Sequence, residues 1–449
     1  MSAATCWLKS ARPSTAQWTI LWKLYRIRDD INISLGEEMN YIDLFAGAGG
    51  LSEGFTSVGF EPVAHIEMNT DAAFTLKTRA CYHYLKKYKI LNYYYDYERE
   101  KISRDELYAL VPLEILDSVM NVTIGEDTIK SIFTKVDAIL ANTPEWNNKV
   151  DVIIGGPPCQ AYSLIGRVVK SDSMQGDPRN YLYKMYCRFL KKYQPKMFVF
   201  ENVPGLLTAN GGKHFENIKR YLRHVGYKIN WREINAKSYG VLQNRRRIII
   251  IGWRADLDLY FPEIKPIEHS YTVNDLLSDL PIIQAGEEKK QYRRCAPSEY
   301  LIKSGIRKEN DVLTFHVARP HLERDREIYR TVIDCWNSGH KRLKYCDLPE
   351  ELRTHHNITD FLDRFKVVEG DTPACHTMMA HISKDGHYYI HPDRKQARSI
   401  TVREAARIQS FPDDYFFEGS RTAVFTQIGN AVPPLMAKKI AEAILGLLQ

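Results

Sequence analysis

The chain contains 449 residues, a length that favours two domains, because a single hydrophobic core stops growing at smaller sizes. Its hydrophobic content of 44% is normal for a globular protein, no stretch approaches the roughly 20 apolar residues that span a bilayer, and no signal peptide is recognisable, which argues against a membrane or secreted protein. The formal net charge of +7 is compatible with nucleic-acid binding without demonstrating it.

The first motif lies near residue 40, after a segment of unassigned role at 1–38. A predicted strand, Tyr41–Phe45, runs into a glycine turn, Ala46–Gly50, followed by a short helix. A second predicted strand, Pro62–Ile66, ends at Glu67. This βαβ pattern is typical of a nucleotide site, because glycines let the backbone approach a ligand and an acidic residue about 20 positions on can bind ribose hydroxyls. The match to G-x-G-x-x-G is only partial.

Residues 80–135 interrupt this pattern. They include the tyrosine-rich run Tyr93–Tyr97 and a charged stretch after it, and we predict that they form an insertion. Gly125–Ile129 is predicted to return the chain to the core.

The next strand, Asp151–Ile154, leads into a rigid turn with the sequence Gly-Gly-Pro-Pro-Cys-Gln. Proline fixes φ and glycine permits conformations that other residues avoid, so the turn presents Cys159 in a defined position. A cysteine on a stiff strand-to-loop corner is a candidate nucleophile, whereas a buried structural cysteine is the usual alternative. The polar loop after it, Leu164–Gly176, has the composition of a lid.

Two further segments carry charged side chains at strand ends. The apolar run Met197–Phe200 ends at Glu201, which would lie near the cysteine if the sheet is parallel. Three arginines precede the apolar run Ile248–Ile251. They could be a solvated edge, but alternation along a strand would place Arg245 and Arg247 on one face, where they could meet a phosphate or a carboxylate.

From about residue 253 to 397 the alternation of strands and helices disappears, and the sequence becomes polar and basic. We predict a separate, smaller domain there. A helix capped by Ser399 or Thr401 is expected next, with Glu404 in range to complete a capping box with Thr401. The chain ends in an amphipathic helix.

The other cysteines are scattered without CxxC spacing, which suggests reduced thiols in a cytoplasmic protein. Cys335, His340 and Cys346 are close in sequence, but their spacing is not that of a zinc site, and no metal is expected.

Taken in order, six segments resemble the C5-cytosine DNA methyltransferase family. They are Asp43–Gly50, Gly156–Gln160, Glu201–Val203, Gln243–Arg247, Arg403–Pro412 and Gln427–Pro434. The resemblance covers the chain from Tyr41 to the C-terminus apart from the stretches 80–135 and 253–397.

The resemblance implies an α/β fold with a Rossmann-like, S-adenosylmethionine-dependent methyltransferase domain and a smaller, irregular target-recognition domain. We therefore expect four parts, which are an extension at 1–38, a catalytic domain at 39–255, a recognition domain at 256–397, and a closing segment at 398–449 that returns to the catalytic domain.

The resemblance also implies a site for S-adenosyl-L-methionine, in which Glu67 takes the ribose. The family's adenine-contacting aspartate maps to Asp127, with Asp96 as a rival. The full set of expected cofactor residues is Phe45, Gly47, Gly49, Glu67, Met68, Asp127, Pro158 and Asn430.

For the reaction, the resemblance implies that the Cys159 thiolate adds to C6 of a flipped cytosine, which places electron density on C5. Glu201 would hold or protonate N3, and Arg247 would orient the base and the carboxylate. Arg245 is grouped with these catalytic residues. The residues expected to contact the substrate are Gln160, Ser163, Arg167, Arg179 and Gln243.

The expected partner is double-stranded DNA, with a separate restriction endonuclease as a possible companion, and the expected setting is a monomer in the bacterial cytoplasm near the nucleoid. Three alternatives stay open at this point. They are a tRNA cytosine-5 methyltransferase of the same mechanism, a NAD-dependent oxidoreductase suggested by the glycine turn and Glu67, and a catalytically inactive DNA-binding protein. The last is disfavoured by the intact Cys159, Glu201 and Arg247.

Overall fold

The computed structural model describes residues 39–158, 182–353, 359, 362–384 and 387–449. Within these ranges seven strands form one sheet in the order β3-β2-β1-β4-β5-β7-β6. The strands are β1 Asn40–Leu44, β2 Glu61–Glu67, β3 Val119–Asn121, β4 Val152–Gly155, β5 Met197–Asn202, β6 Tyr227–Asn235 and β7 Arg246–Arg254.

Fourteen α-helices are described in the same ranges. They are α1 Gly50–Thr56, α2 Thr70–Lys87, α3 Asn92–Glu98, α4 Arg104–Tyr108, α5 Leu113–Asp117, α6 Ile129–Ala141, α7 Leu182–Tyr193, α8 Lys213–His224, α9 Asn274–Leu277, α10 Glu299–Lys303, α11 Glu323–Asn337, α12 Val402–Ile408, α13 Arg421–Asn430 and α14 Pro434–Leu448. Short 3-10 turns occupy Pro144–Trp146, Pro204–Leu207, Ala209–Gly212, Ala236–Tyr239, Tyr345–Asp347, Glu350–Leu352 and Ala380–Ser383. No helix among these residues is long and apolar enough to cross a membrane.

The sheet is parallel from β3 to β5, so the carboxyl ends of β1, β2, β4 and β5 lie at one edge. Strand β7 then runs antiparallel to both β5 and β6. Its run Ile248–Ile251 is fully buried, because helices cover both faces of the sheet. Ligands of open α/β sheets bind at the carboxyl edge, which is where the candidate site is described below.

Each face of the sheet has its own helical layer. Helices α6, α7 and α8 contribute Ile132, Phe189 and Ile218 to the core on one face. Helices α1 and α14 cover the other face. A Cβ built on Gly54 of α1 would lie 2.4 Å from the Cβ of Ala437 of α14, so the two helices pack at a distance that only glycine allows. The last helix thus packs against the first, as the resemblance implies.

A second core lies beyond β7 and joins two of the predicted parts. Leu276 and Leu301, from the stretch 256–397, pack with Ile408, Phe425 and Ile428 from α12 and α13. Among the elements of the closing segment, α14 belongs to the sheet core, whereas α12 and α13 belong to this second core. The four-part division stays a prediction, but residue 397 is not a boundary between cores.

Local signals in the closing segment are confirmed. The Thr401 side chain accepts a hydrogen bond from the Glu404 backbone N–H, and Glu404 accepts one from the Thr401 N–H at 2.7 Å, which completes the expected capping box. Thr401, and not Ser399, is therefore the residue that caps this helix.

The predicted insertion at 80–135 was too wide. Helix α2 continues to Lys87 because its buried stripe extends through Cys81, Tyr82 and Leu85. Strand β3 joins the central sheet, and α6 begins at Ile129 with core residues. The irregular part is therefore confined to the short helices α3, α4 and α5, which enclose a small core with Tyr94 and Leu107.

Candidate active site

The turn after β1 forms one side of the site. Phe45, Gly47 and Gly49 all have positive φ, of 59°, 56° and 77°. A Cβ built on Gly50 would lie 2.1 Å from the carbonyl oxygen of Val432, so the closing segment rests directly on this turn. The motif therefore needs glycine for two reasons, namely the left-handed backbone at Gly47 and Gly49 and the close approach of Val432 to Gly50.

Glu67 ends β2 and faces the same turn. One carboxylate oxygen accepts the Gly47 N–H at 2.8 Å, and the other accepts the Asn69 N–H at 2.7 Å. Burial raises the pKa of Glu67, and these backbone donors oppose that shift. The next residue, Met68, is 64% exposed, an unusual position for a large apolar side chain.

The two rival aspartates lie in different places. Asp127 is exposed in the turn between β3 and α6, at the carboxyl edge of the sheet. Asp96 lies on α3 and forms an ion pair with Lys101 at 2.9 Å. This geometry favours Asp127. Asn430 is exposed at the end of α13, next to the segment that rests on Gly50.

A carboxylate and a guanidinium meet at the ends of β5 and β7. Glu201 is paired with Ile249 in the antiparallel ladder, so Arg247, two residues earlier, is its diagonal neighbour on the same face. The Arg247 Nε lies 2.7 Å from a Glu201 oxygen, and both side chains are largely buried. Charge-assisted pairs of this kind fix the direction of both groups.

The turn after β4 lies against this ion pair. A Cβ built on Gly156 would lie 2.6 Å from the second Glu201 oxygen, so the carboxylate covers the turn just before Pro157. The Asn202 side chain donates to the Pro157 carbonyl at 3.3 Å and holds the turn in place. Pro158 follows at the same edge. The remaining predicted residues of this turn and loop lie outside the described residues, namely Cys159, Gln160, Ser163, Arg167 and Arg179.

The described side-chain contacts of Arg245 are with backbone carbonyl oxygens, and its expected contact with a phosphate or a carboxylate stays a prediction. It precedes β7, is 1% exposed, and donates to the carbonyl oxygens of Met378, Gly429 and Ala431 at 2.7, 3.0 and 2.9 Å. Burial, followed by the charge of Arg247, lowers its pKa. The guanidinium therefore holds the closing segment against the strand edge.

Gln243 is also structural rather than exposed to a substrate. It is fully buried, its amide nitrogen donates to the Ile408 carbonyl and the Gln409 side chain, and its oxygen accepts the Met378 N–H at 2.9 Å. Its predicted substrate contact stays a prediction, and these buried contacts do not favour it.

Two residues that support the glycine turn were missed from the sequence. Asp43, at 1% exposure, accepts a hydrogen bond from the Ser52 hydroxyl, and burial raises its pKa to about 8. The Tyr415 hydroxyl donates to the Ala48 carbonyl at 2.5 Å. Asp43 is the first residue of the segment Asp43–Gly50, and Tyr415 follows the segment Arg403–Pro412. Both segments were recognised, but the functions expected of them were attributed to other residues.

The strand order, the glycine turn after β1 and the carboxylate after β2 define a Rossmann-like methyltransferase fold. A crystal structure of a protein described as a DNA modification methyltransferase from an E. coli prophage has this fold, with a TM-score of 0.60, 24% identity, and coverage of 91% of this chain and 99% of that one.

The family follows from sequence comparison. The model of the C-5 cytosine-specific DNA methylases matches residues 39–102 and 125–446. The type II methyltransferase M.Bpa9945I of Bacillus paralicheniformis is 42% identical, over 90% of this chain and 98% of the relative. M1.HphI of Haemophilus parahaemolyticus is 32% identical, over 91% and 87%.

The chain belongs to the C-5 cytosine-specific DNA methylase family, and it is a DNA cytosine-5 methyltransferase. This result does not favour the oxidoreductase alternative, because the glycine turn and Glu67 that suggested it are features of both nucleotide-binding classes. It also disfavours tRNA as the substrate. Methyltransferases of this kind generally use S-adenosyl-L-methionine.

Proposed function

We propose that the protein transfers a methyl group from S-adenosyl-L-methionine to C5 of a flipped cytosine in a specific duplex DNA sequence, through a covalent bond between Cys159 and C6. The observation that carries this proposal is the ion pair of Glu201 and Arg247, which lies against the turn that leads into Cys159. We thereby propose that the acid Glu201, the cation Arg247 that orients it and the nucleophile Cys159 lie at one edge of the sheet.

The residues at the glycine turn fit the proposed cofactor. Glu67 already accepts backbone donors there and has lone pairs left for ribose hydroxyls. Met68 offers an exposed apolar surface for the adenine, and Asp127 and Asn430 would complete the polar contacts. Phe45, Gly47, Gly49 and Pro158 would line the site. When bound, S-adenosyl-L-methionine supplies an electrophilic methyl group on its sulfonium sulfur.

The chain's own residues supply the activation of the base. C5 of cytosine is a weak nucleophile, and addition of the Cys159 thiolate to C6 moves electron density to C5 while N3 gains a proton or a hydrogen bond from Glu201. Arg247 holds that carboxyl in position through its Nε contact. After C5 is methylated, loss of the C5 proton to a base restores the ring and expels the thiolate.

The decisive experiment compares Cys159→Ala with Cys295→Ala, because Cys295 is an exposed cysteine outside this edge. Tritium transfer from labelled cofactor to duplex DNA should fall to background in Cys159→Ala and stay at the wild-type level in Cys295→Ala. Cofactor binding, measured by equilibrium dialysis, should survive in both variants, since the thiol is needed only for the addition to C6.

The covalent bond is tested separately with DNA that contains 5-fluorocytosine. Fluorine cannot leave C5 as a proton leaves it, so the methylated adduct should persist and resist denaturant. An active wild-type enzyme that forms no such adduct would contradict the covalent mechanism, whatever the result for Cys159→Ala.

We further propose that the enzyme protects DNA within a restriction-modification system in the cytoplasm of a bacterial cell, acting as a monomer beside a separate endonuclease. The relatives named above carry the description type II methyltransferase, which supports this role.

Parallel labelling of duplex DNA and tRNA checks the substrate. Labelling of tRNA alone would contradict it.

A further inference from the structure

An open cleft of about 390 Å³ lies between Asn244, just before β7, and residues of the stretch 336–377. The side chains that matter for its chemistry are Asn244, Trp336, Arg342, Glu369, His376 and Thr377. None of them belongs to the catalytic or cofactor groups described above. The catalytic and cofactor-binding roles described above therefore do not account for the cleft.

The cleft adjoins the reaction centre through Asn244, which is exposed three residues before Arg247. The Asn244 N–H donates to the Cys375 carbonyl at 2.7 Å, and the Thr377 hydroxyl donates to the Asn244 carbonyl at 2.6 Å. Three extended residues span about 10 Å. In a complex that holds the target cytosine at Glu201, a duplex with base pairs about 3.4 Å apart would bring base pairs within about three steps of the target to this cleft.

Arg342 extends into this cleft from a rigid support. Its guanidinium is bound by Glu369, whose side chain is 5% exposed, whereas the side chain of Arg342 is 50% exposed. Glu369 also accepts the His376 N–H at 2.8 Å and the His376 ring at 2.9 Å. Burial alone would raise the pKa of Glu369, but the hydrogen bonds and charge of His376, together with Arg342, hold it at about 2. The carboxylate thus stays charged and fixes the guanidinium.

The charge balance of the cleft favours a neutral ligand over a phosphate. A second carboxylate, Asp371, lies two residues after Glu369 and accepts the Trp336 Nε1–H at 3.0 Å and the His340 ring at 2.6 Å. The lining of the cleft pairs one cation, Arg342, with one carboxylate, Glu369, so a phosphate brought to Arg342 would also approach Glu369, whereas the edge of a base carries no net charge. An arginine held on one side by a carboxylate presents directional donors rather than a general positive field.

We propose that Arg342 reads a guanine of the recognition sequence through N7 and O6, within about three base pairs of the target cytosine, and that Glu369 positions its guanidinium. This inference rests on the duplex DNA substrate proposed above. It assigns part of the sequence specificity to a residue that no motif singled out.

The test starts from the wild-type enzyme. Mapping of 5-methylcytosine in a methylated plasmid of mixed sequence should reveal an invariant guanine within about three base pairs of the modified cytosine. Replacement of that guanine by 7-deazaguanine removes only the N7 acceptor, and kcat/KM should fall about 10- to 100-fold. A site without such a guanine, or a rate that is unchanged by 7-deazaguanine, would overturn the inference.

Variants then connect the effect to Arg342. Arg342→Ala and Arg342→Lys should both lose discrimination between guanine and the other bases, and both should become insensitive to 7-deazaguanine, because lysine keeps the charge but lacks the planar fork. Arg394→Ala is the matched control, since Arg394 is an exposed arginine paired with Asp334 at 2.7 Å and does not line the cleft. It should keep the wild-type preference.

Other outcomes decide against the inference. An equal loss of kcat/KM on all sequences in Arg342→Ala, with a weaker salt dependence, would identify a phosphate contact instead. A variant that methylates with unchanged preference would overturn the inference while leaving the methyltransferase function intact. A wild-type protein that methylates no duplex DNA would overturn both. If Arg342→Ala does not fold, Arg342→Lys and the 7-deazaguanine series decide.

Discussion

Glu201 and Gly156 constrain each other at the level of single residues. The carboxylate lies against the turn because residue 156 has no Cβ, and the Arg247 contact of 2.7 Å holds it there. A side chain at 156 would move the carboxylate or the turn, and both carry groups that we assign to the reaction. The glycine of the Gly-Pro-Pro-Cys motif is therefore required by geometry at this strand edge.

Gly156→Ala should reduce kcat/KM on duplex DNA by about 100-fold, since displacements near 1 Å at a reaction centre have effects of that size. The added Cβ would lie 2.6 Å from a Glu201 oxygen, which forces such a displacement. Steady-state kinetics provide the measurement. Gly446→Ala is the control, because nothing lies within 4 Å of a Cβ built there, and it should keep full activity. Equal activity of the two variants would refute the geometric argument.

At the level of elements, the junction of β1 and α1 depends on a buried carboxyl. Asp43 is buried in β1 beside Ser52 of α1, whose hydroxyl donates a hydrogen bond to its carboxyl group. Burial raises its pKa to about 8, with the Ser52 hydroxyl opposing and the Glu67 charge reinforcing the shift. Near neutral pH the folded protein therefore holds a proton that the unfolded chain releases.

The raised pKa of Asp43 makes the stability of the protein depend on pH. Stability from the protonated Asp43 is fully present below about pH 4 and is lost as the pH rises towards about 8, because the folded state binds more protons in that interval. Asp43→Asn removes the titration and keeps an acceptor for Ser52. The free energy of unfolding in urea should therefore rise relative to wild type by about 1 kcal/mol per pH unit between pH 5 and 8. A constant difference across that range would contradict this account, and the exposed Asp137→Asn serves as the control.

The sequence predicted elements wherever local patterns decide them, and it failed where partners are distant. The strand ends at Glu67 and Glu201 and the capping box at Thr401 follow from short-range signals. The buried contacts of Arg245 and Gln243 were not foreseen, because an arginine that binds carbonyl oxygens has the same local sequence as one that binds a substrate. The carbonyl partners of Arg245 lie 133 to 186 residues away, so no spacing rule could reveal them.

For the whole molecule, the segment after α12 joins the second core to helix α2 through buried charges. Asp413 accepts from Arg407 at 2.6 Å, and Arg407 also donates to Asp279 of the second core. The next residue, Asp414, binds Arg79 of α2 at 2.9 Å. Asp414 also forms an ion pair with Lys308 of the stretch 256–397, so this carboxylate contacts both parts of the molecule. We expect both parts to unfold together, because breaking either contact leaves a buried charge without its partner.

Asp413→Asn should destabilise the whole molecule by about 3 to 5 kcal/mol, since it removes one of the two carboxylates paired with Arg407 and also the carboxylate that Arg403 contacts at 3.5 Å. Burial would raise the pKa of Asp413, but Arg407 and Arg403 hold it below its usual value, so this contribution is present above about pH 4 and lost as the pH falls further. Urea unfolding followed by tryptophan fluorescence and by far-ultraviolet circular dichroism should show one coincident transition, shifted to lower urea in the variant.

The exposed Asp334→Asn is the matched control and should leave the transition unshifted, because Asp334 and its partner Arg394 form a pair at the surface. Two separate transitions in the wild type would show that the cores unfold independently. In that case Asp413 and Asp414 would each stabilise only the part of the molecule that they contact. The loss of stability in Asp413→Asn would then be confined to the unfolding transition of the second core.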